Sequence, residues 1–214
     1  MHNKESYEDM KILTEAINYD KFKWQICGDL KVIALLLGLQ HGFTKYCCSI
    51  CEWDSRAQSL HYSRMDWPAR KSLEPGIMNV ENQPLVEPSK LLLPSMHFKL
   101  GLIKNFVKAM KEEEAAFLPR LSEAKLKEGI FIGPQIRDLI KDEYFDKLFQ
   151  GDEKAAWDSF KFVVKGLWGN RRAQNYEELV NNLLQSYQKL GRNMSLKIHF
   201  LHSHLDFSLR IVVQ

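Results

Sequence analysis

Apolar positions recur along this chain in two different periods. From Tyr7 to Asn18, Met10, Leu13 and Ile17 fall on one face at spacings of three and four, which predicts a short helix. Phe22, Trp24 and Ile26 then alternate with Lys23, Gln25 and Cys27, the period of two that predicts a strand. In that strand Cys27 is expected to pack. Gly28 lets the chain turn, and Asp29 falls just past the strand's carboxyl end. Leu30 to Leu39 is apolar on nearly every face and predicts a helix buried on several sides.

The pattern then weakens. Residues His41 to Asp54 form a cysteine-bearing loop. From Ser55 to Pro88 the periodicity is poor and Pro68, Pro75, Pro84 and Pro88 interrupt it, as at a boundary. Helical spacing returns afterwards. Met96, Leu100, Ile103, Val107 and Met110 form one stripe, and Ala156, Phe160, Val163, Val164 and Leu167 a second. Leu179, Val180, Leu183, Leu184, Tyr187 and Leu190 form a third. Gly133-Pro134 and Gly151-Asp152 read as helix breaks. The predicted division is a partial α/β core over 1–54, an irregular linker over 55–89, a helical segment over 90–192 and a histidine-bearing end over 193–214. No internal repeat or low-complexity tract is visible.

Composition adds few exclusions. A hydrophobic fraction of 45% over 214 residues supports a folded core rather than wholesale disorder. The net charge of +3 permits nucleic-acid contact without arguing for it, because acids and bases are interspersed. The start, MHNKESYEDMK, has no apolar stretch of the signal-peptide kind, and no run approaches the roughly 20 apolar residues of a membrane span. An intracellular protein with no membrane contact is therefore expected. In that compartment its four cysteines are expected to be thiols or metal ligands.

The candidate chemistry lies at two places far apart in sequence. Cys48 and Cys51 have knuckle spacing, which lets both sulfurs face one ion. A Cys47–Cys51 pair is the alternative, and two semi-buried thiols the plainer reading. His199, His202 and His204 lie within six residues, in IHFLHSH. On a helix His199 and His202 share a face, whereas His199 and His204 converge only at a fraying helix end. Two cysteines and two of these histidines would complete a tetrahedral zinc site; an exposed polar turn is the competing account. Asp29 is placed where a Mg²⁺ ligand would stand at a strand end, or where a helix N-cap would. Arg171 and Arg172, beside Trp168 in GLWGNRRAQNY, suit a nucleic-acid backbone or an ordinary solvated helix end.

Taken together these segments resemble the cut-and-paste DDE/DDD transposases with a ribonuclease-H-like core, the group of CACTA-type and hAT-type transposases and the transposon-derived V(D)J recombinase. The stretches GDLKVIALLLGLQ and LPSMHFKLGLIKNFVKAM are similar to transposon-derived animal proteins. The resemblance implies that Asp29 is the second catalytic aspartate and that Cys48 and Cys51 are the knuckle. It implies that His199 and His204 complete a structural zinc site, with His202 as an alternative ligand, and that Lys90 to Leu190 is an all-helical insertion. The implied fold is mainly α, a remnant of an α/β core closed by the CxxC/His site. In the intact family Mg²⁺ or Mn²⁺ serves DNA cleavage and strand transfer, and the compartment would be the nucleus. Here no first aspartate is recognisable before Asp29, and no acidic residue follows Asp206. A truncated, catalytically incompetent product with weak DNA binding is therefore expected. Two alternatives are a zinc-stabilised helical module that binds a protein partner or its own copy, and a helper subunit completed in trans by a fuller transposase.

Overall fold

In the computed structural model, residues 5–42, 44–93, 95–107, 133–169 and 171–208 are described. They are mainly helical. They form two units: one holds the described residues up to 93 together with those from Ser203 onward, the other Ser95–His202.

In the first unit, helix α1 (Tyr7–Ala16) opens on a capping box, Ser6 accepting from the Asp9 amide while the Asp9 carboxylate accepts from the Ser6 amide. The predicted strand over Phe22–Cys27 is mostly not one. Tyr19–Phe22 is a single helical turn, α2, stopped at Lys23 by a left-handed backbone (φ 50°). Only Ile26–Cys27, β1, is extended, pairing in parallel with Leu91–Leu92, β2. Tyr19 explains the difference. It is the buried aromatic of this stretch, its hydroxyl accepting from the Glu87 amide at 3.1 Å, while Phe22 and Trp24 stay half exposed. Cys27 is exposed rather than packed, because in so short a strand Ile26 alone turns inward.

Helix α3 (Leu30–Leu36) carries the core of this unit through Ile33, Leu35 and Leu36, continued by Leu37 and Leu39. It ends at Gly38, whose φ of +66° is left-handed and whose carbonyl accepts from the amides of Glu81 and Asn82. A Cβ there would stand 2.0 Å from the Asn82 carbonyl oxygen, which is backbone and has little freedom to yield. Gly38→Ala should therefore cost about 2 kcal/mol or more, read as a lowered urea midpoint. Residues 55–89 contain turns, a 3-10 turn at Gln58–Leu60 and the start of another at Pro88–Lys90, yet they contribute buried His61, Val80 and Val86. Leu39 bridges Val80, and the Leu85 amide reaches the Leu36 carbonyl.

The second unit comprises helices α4 (Ser95–Val107), α5 (Gly133–Lys141), α6 (Glu143–Lys147), α7 (Gly151–Gly166) and α8 (Tyr176–Lys189) and most of α9 (Leu196–Ser203). The apolar stripes foreseen on α4, α7 and α8 are buried at Ile103, Val107, Ala156, Phe160, Val163, Val180, Leu183, Leu184 and Tyr187. Met110 lies outside the described residues. Gly133 and Gly151 open helices, as breaks at those points require. Antiparallel neighbours α7 and α8 make the main packing, and the Tyr187 hydroxyl donates to the Leu102 carbonyl at 3.0 Å, tying α8 to α4. Trp157 is the centre of an aromatic cluster with Phe106, Phe145, Phe149 and Phe160, at centroid distances of 5.1 to 5.9 Å.

Asp146 joins this cluster to water. Burial works to raise its pKa, but hydrogen bonds from Lys161, Lys154 and the Trp157 indole outweigh it and hold the carboxyl at about 2. A depressed pKa stabilises the fold above the unfolded value near 4 and loses that contribution as pH falls toward 2. About a third of the side chain meets water (32%), so screening reduces the effect to ~1 kcal/mol. Asp146→Asn should be less stable than the parent at pH 6 and equally stable near pH 2, by urea unfolding at both.

A candidate metal centre

The cysteine loop is held by main-chain pairing to a segment of the irregular stretch. Cys51 bridges Ala69 in antiparallel fashion, with the Arg70 amide donating to the Ile50 carbonyl at 2.9 Å and the Glu52 amide to the Pro68 carbonyl at 2.8 Å. Upstream, the Tyr46 amide donates to Asn79 Oδ1 at 2.9 Å; Asn79 itself is left-handed (φ 63°), a conformation asparagine tolerates. Downstream, Ser55 closes on the carbonyls of Thr44 and Lys45, and Lys45 pairs with Asp54 at 3.3 Å. Trp53 is buried against the His61 ring at 4.9 Å, and His61 Nε2 donates to the Asp54 carbonyl at 2.8 Å. These contacts fix a knuckle in which the Ile50 amide donates to Cys48 Sγ at 3.5 Å.

The sequence-distant half arrives on α9 and just beyond it. His199 is fully buried on the helix, the helix stops at Ser203, and His204 lies in the break before the short α10 (Leu205–Ser208). Ending the helix there frees His204 from the face that a continuous helix would assign it, and its Nε2 comes within 3.2 Å of Cys51 Sγ. Ligand atoms of Cys48, Cys51, His199 and His204 all lie within 4.8 Å of one another. This is the one group of three or more such side chains among the described residues with ligand geometry. His202 is buried on α9, one turn beyond His199, but is not part of the cluster; His204, past the helix end, takes the fourth place.

The donor set fits a divalent ion. Tetrahedral bonds of about 2.0 to 2.3 Å place ligand atoms roughly 3.3 to 3.8 Å apart, so the four need to close by no more than about 1.5 Å. Without an ion the thiols are held protonated. Contact with the Cys48 sulfur, then burial, push the Cys51 thiol far up, and burial with the Cys48 charge pushes Cys47 up to about 12. Two adjacent buried sulfurs become thiolates only beside a cation. The cluster is thus able to bind a metal such as zinc.

The other sequence-nominated residues stand elsewhere. Asp29 caps α3, Oδ1 accepting from the Val32 amide at 2.8 Å. It belongs to no metal-capable group among the described residues. Arg171 and Arg172 are exposed, the latter stacked over Tyr176 at 5.2 Å. The sequence reading missed Arg70 and Asn79, because residues in a proline-rich stretch with no periodicity carry no sign of what they touch.

By fold and site this is a mainly helical protein with a Cys₂His₂ cluster of metal-binding geometry. In comparison with known families, residues 1–86 match a "domain of unknown function (DUF8703)" and residues 95–169 a "domain of unknown function (DUF8704)". The second match begins where the second structural unit does. No curated protein and no solved structure matches the chain. No helix among the described residues is long and apolar enough to cross a membrane.

Proposed function

We propose that this is a transposase-derived protein whose ribonuclease-H-like remnant is braced by structural zinc, with weak DNA affinity and no strand-transfer activity of its own. The observation that carries the reading is the Cys48, Cys51, His199 and His204 cluster, the ligand set the transposase resemblance implies. Two thiolates and two imidazoles select zinc over hard cations such as Mg²⁺, and four protein ligands make a closed, structural site. The engagement of Asp29 as a helix cap supports the non-catalytic half, since two-metal chemistry needs several converging carboxylates.

Elemental analysis of protein purified without chelator should give one zinc per chain. A titration with duplex DNA should show weak, sequence-independent binding that falls steeply as salt rises. Asp29→Ala should cost about 1 kcal/mol of stability, the value of a lost N-cap, and change nothing in an assay of transposon-end DNA with Mg²⁺ or Mn²⁺. Metal-dependent cleavage abolished by Asp29→Ala would overturn the proposal, as would protein without zinc.

A second reading, a zinc-braced protein-interaction module, is favoured by Ile12, Leu13, Phe22 and Trp24, each more than half exposed on the first unit. Sedimentation analysis showing a stable dimer that Trp24→Ala weakens would prefer it.

A further inference from the structure

We propose that Arg70 is the positioning residue of the metal centre: its guanidinium fixes the backbone on either side of Cys47 so that the Cys48 and Cys51 sulfurs face one ion, and it sets a fixed positive charge beside them. The inference rests on the reading that the cluster binds zinc.

The geometry is specific. Each guanidinium nitrogen has its own carbonyl: Nη2 donates to Tyr46 at 2.9 Å, Nε to Cys48 at 3.1 Å and Nη1 to Met78 at 3.1 Å. The main chain of the same residue grips the knuckle from the other side, the Arg70 amide donating to the Ile50 carbonyl. One residue thus holds three of the five loop positions from Tyr46 to Ile50. A lysine ammonium has neither the fork nor the reach to serve three carbonyls in one plane. Such second-sphere contacts orient ligands and tune the metal.

The charge is equally placed. Arg70 is half-buried, and no carboxylate oxygen among the described residues lies within ion-pair distance of it. Its Nε lies 3.1 Å from the carbonyl oxygen of Cys48 itself, which sets the guanidinium charge next to the first sulfur ligand. A half-buried cation held by three backbone acceptors, one of them the Cys48 carbonyl, is complementary to thiolates on that loop. Asn79 supports the same loop from its far side through the Tyr46 amide.

The test uses the full chain and Co²⁺ as a spectroscopic probe, with zinc affinity from competition against a chromophoric chelator. The proteins are the parent, Arg70→Met, Arg70→Lys and Cys48→Ser. The parent should show sulfur-to-cobalt charge transfer and intense tetrahedral d–d bands that Cys48→Ser loses. Arg70→Met should bind zinc about 10- to 100-fold more weakly, chiefly through faster release, with altered d–d bands. Arg70→Lys should recover part of the affinity through charge but not the band shape. Parent affinity and spectrum in Arg70→Met would overturn the proposal while leaving the zinc reading intact. So would a loss in metal-free melting temperature as large as the loss with metal, which would place the role of Arg70 in folding. A parent chain that takes up no cobalt would sink the zinc reading, and this one with it.

Discussion

Chelation of the metal, or Cys48→Ser, is expected to lower the melting temperature by roughly 8–16 °C. An ion that binds only the folded chain stabilises it by about 4 kcal/mol at a thousandfold excess over its dissociation constant. A domain of 150–250 residues shifts by about 2–4 °C for each such kcal/mol. The ligands come from the cysteine loop and from the segment around α9, about 150 positions later, so both lose their tether together. Exposed Cys27 is the control, and Cys27→Ser should move the transition by less than about 2 °C. Thermal unfolding with excess zinc and with excess chelator measures both. Identical curves in the two conditions would show that the cluster is not a stabilising metal site.

Trp157→Ala should destabilise the second unit by about 3–5 kcal/mol, enough to unfold a marginal domain. The indole is fully buried, packed on by Phe106, Phe145, Phe149 and Phe160 from three neighbouring segments as well as its own helix. Its Nε1 also donates to Asp146 at 2.7 Å. Truncation removes the packing, leaves a cavity too large for its lining to collapse into, and frees a carboxylate that anchors two lysines. Phe162→Ala, on the same helix but 57% exposed, should change stability by about 0.5 kcal/mol or less. Urea titrations of the two variants give the contrast directly; equal losses would mean that α7 is packed on a different face.

Helices α4, α7 and α8 were legible in the sequence because local spacing of three and four decides both their existence and their buried side. The cysteine pair was legible for a similar reason, since a two-residue gap is itself the geometry. The strand was not. Alternation at Phe22, Trp24 and Ile26 carries the strand signal, yet Tyr19, outside the alternation, takes the buried place through a contact with Glu87. The choice between His202 and His204 turned on where α9 stops, which is the least readable property of a helix. Arg70 was invisible because its partners are backbone carbonyls, which have no sequence signature.

The first unit is assembled from two stretches separated by the whole of the second. On a ribosome adding about 5–20 residues per second, His204 emerges roughly 8–30 s after Cys51. During that interval the newborn chain displays a lone thiol pair, two ligands short of a cage. If the cluster takes up a metal, the order of synthesis then counts beside affinity, because metal or oxidant can meet those sulfurs before their histidine partners exist.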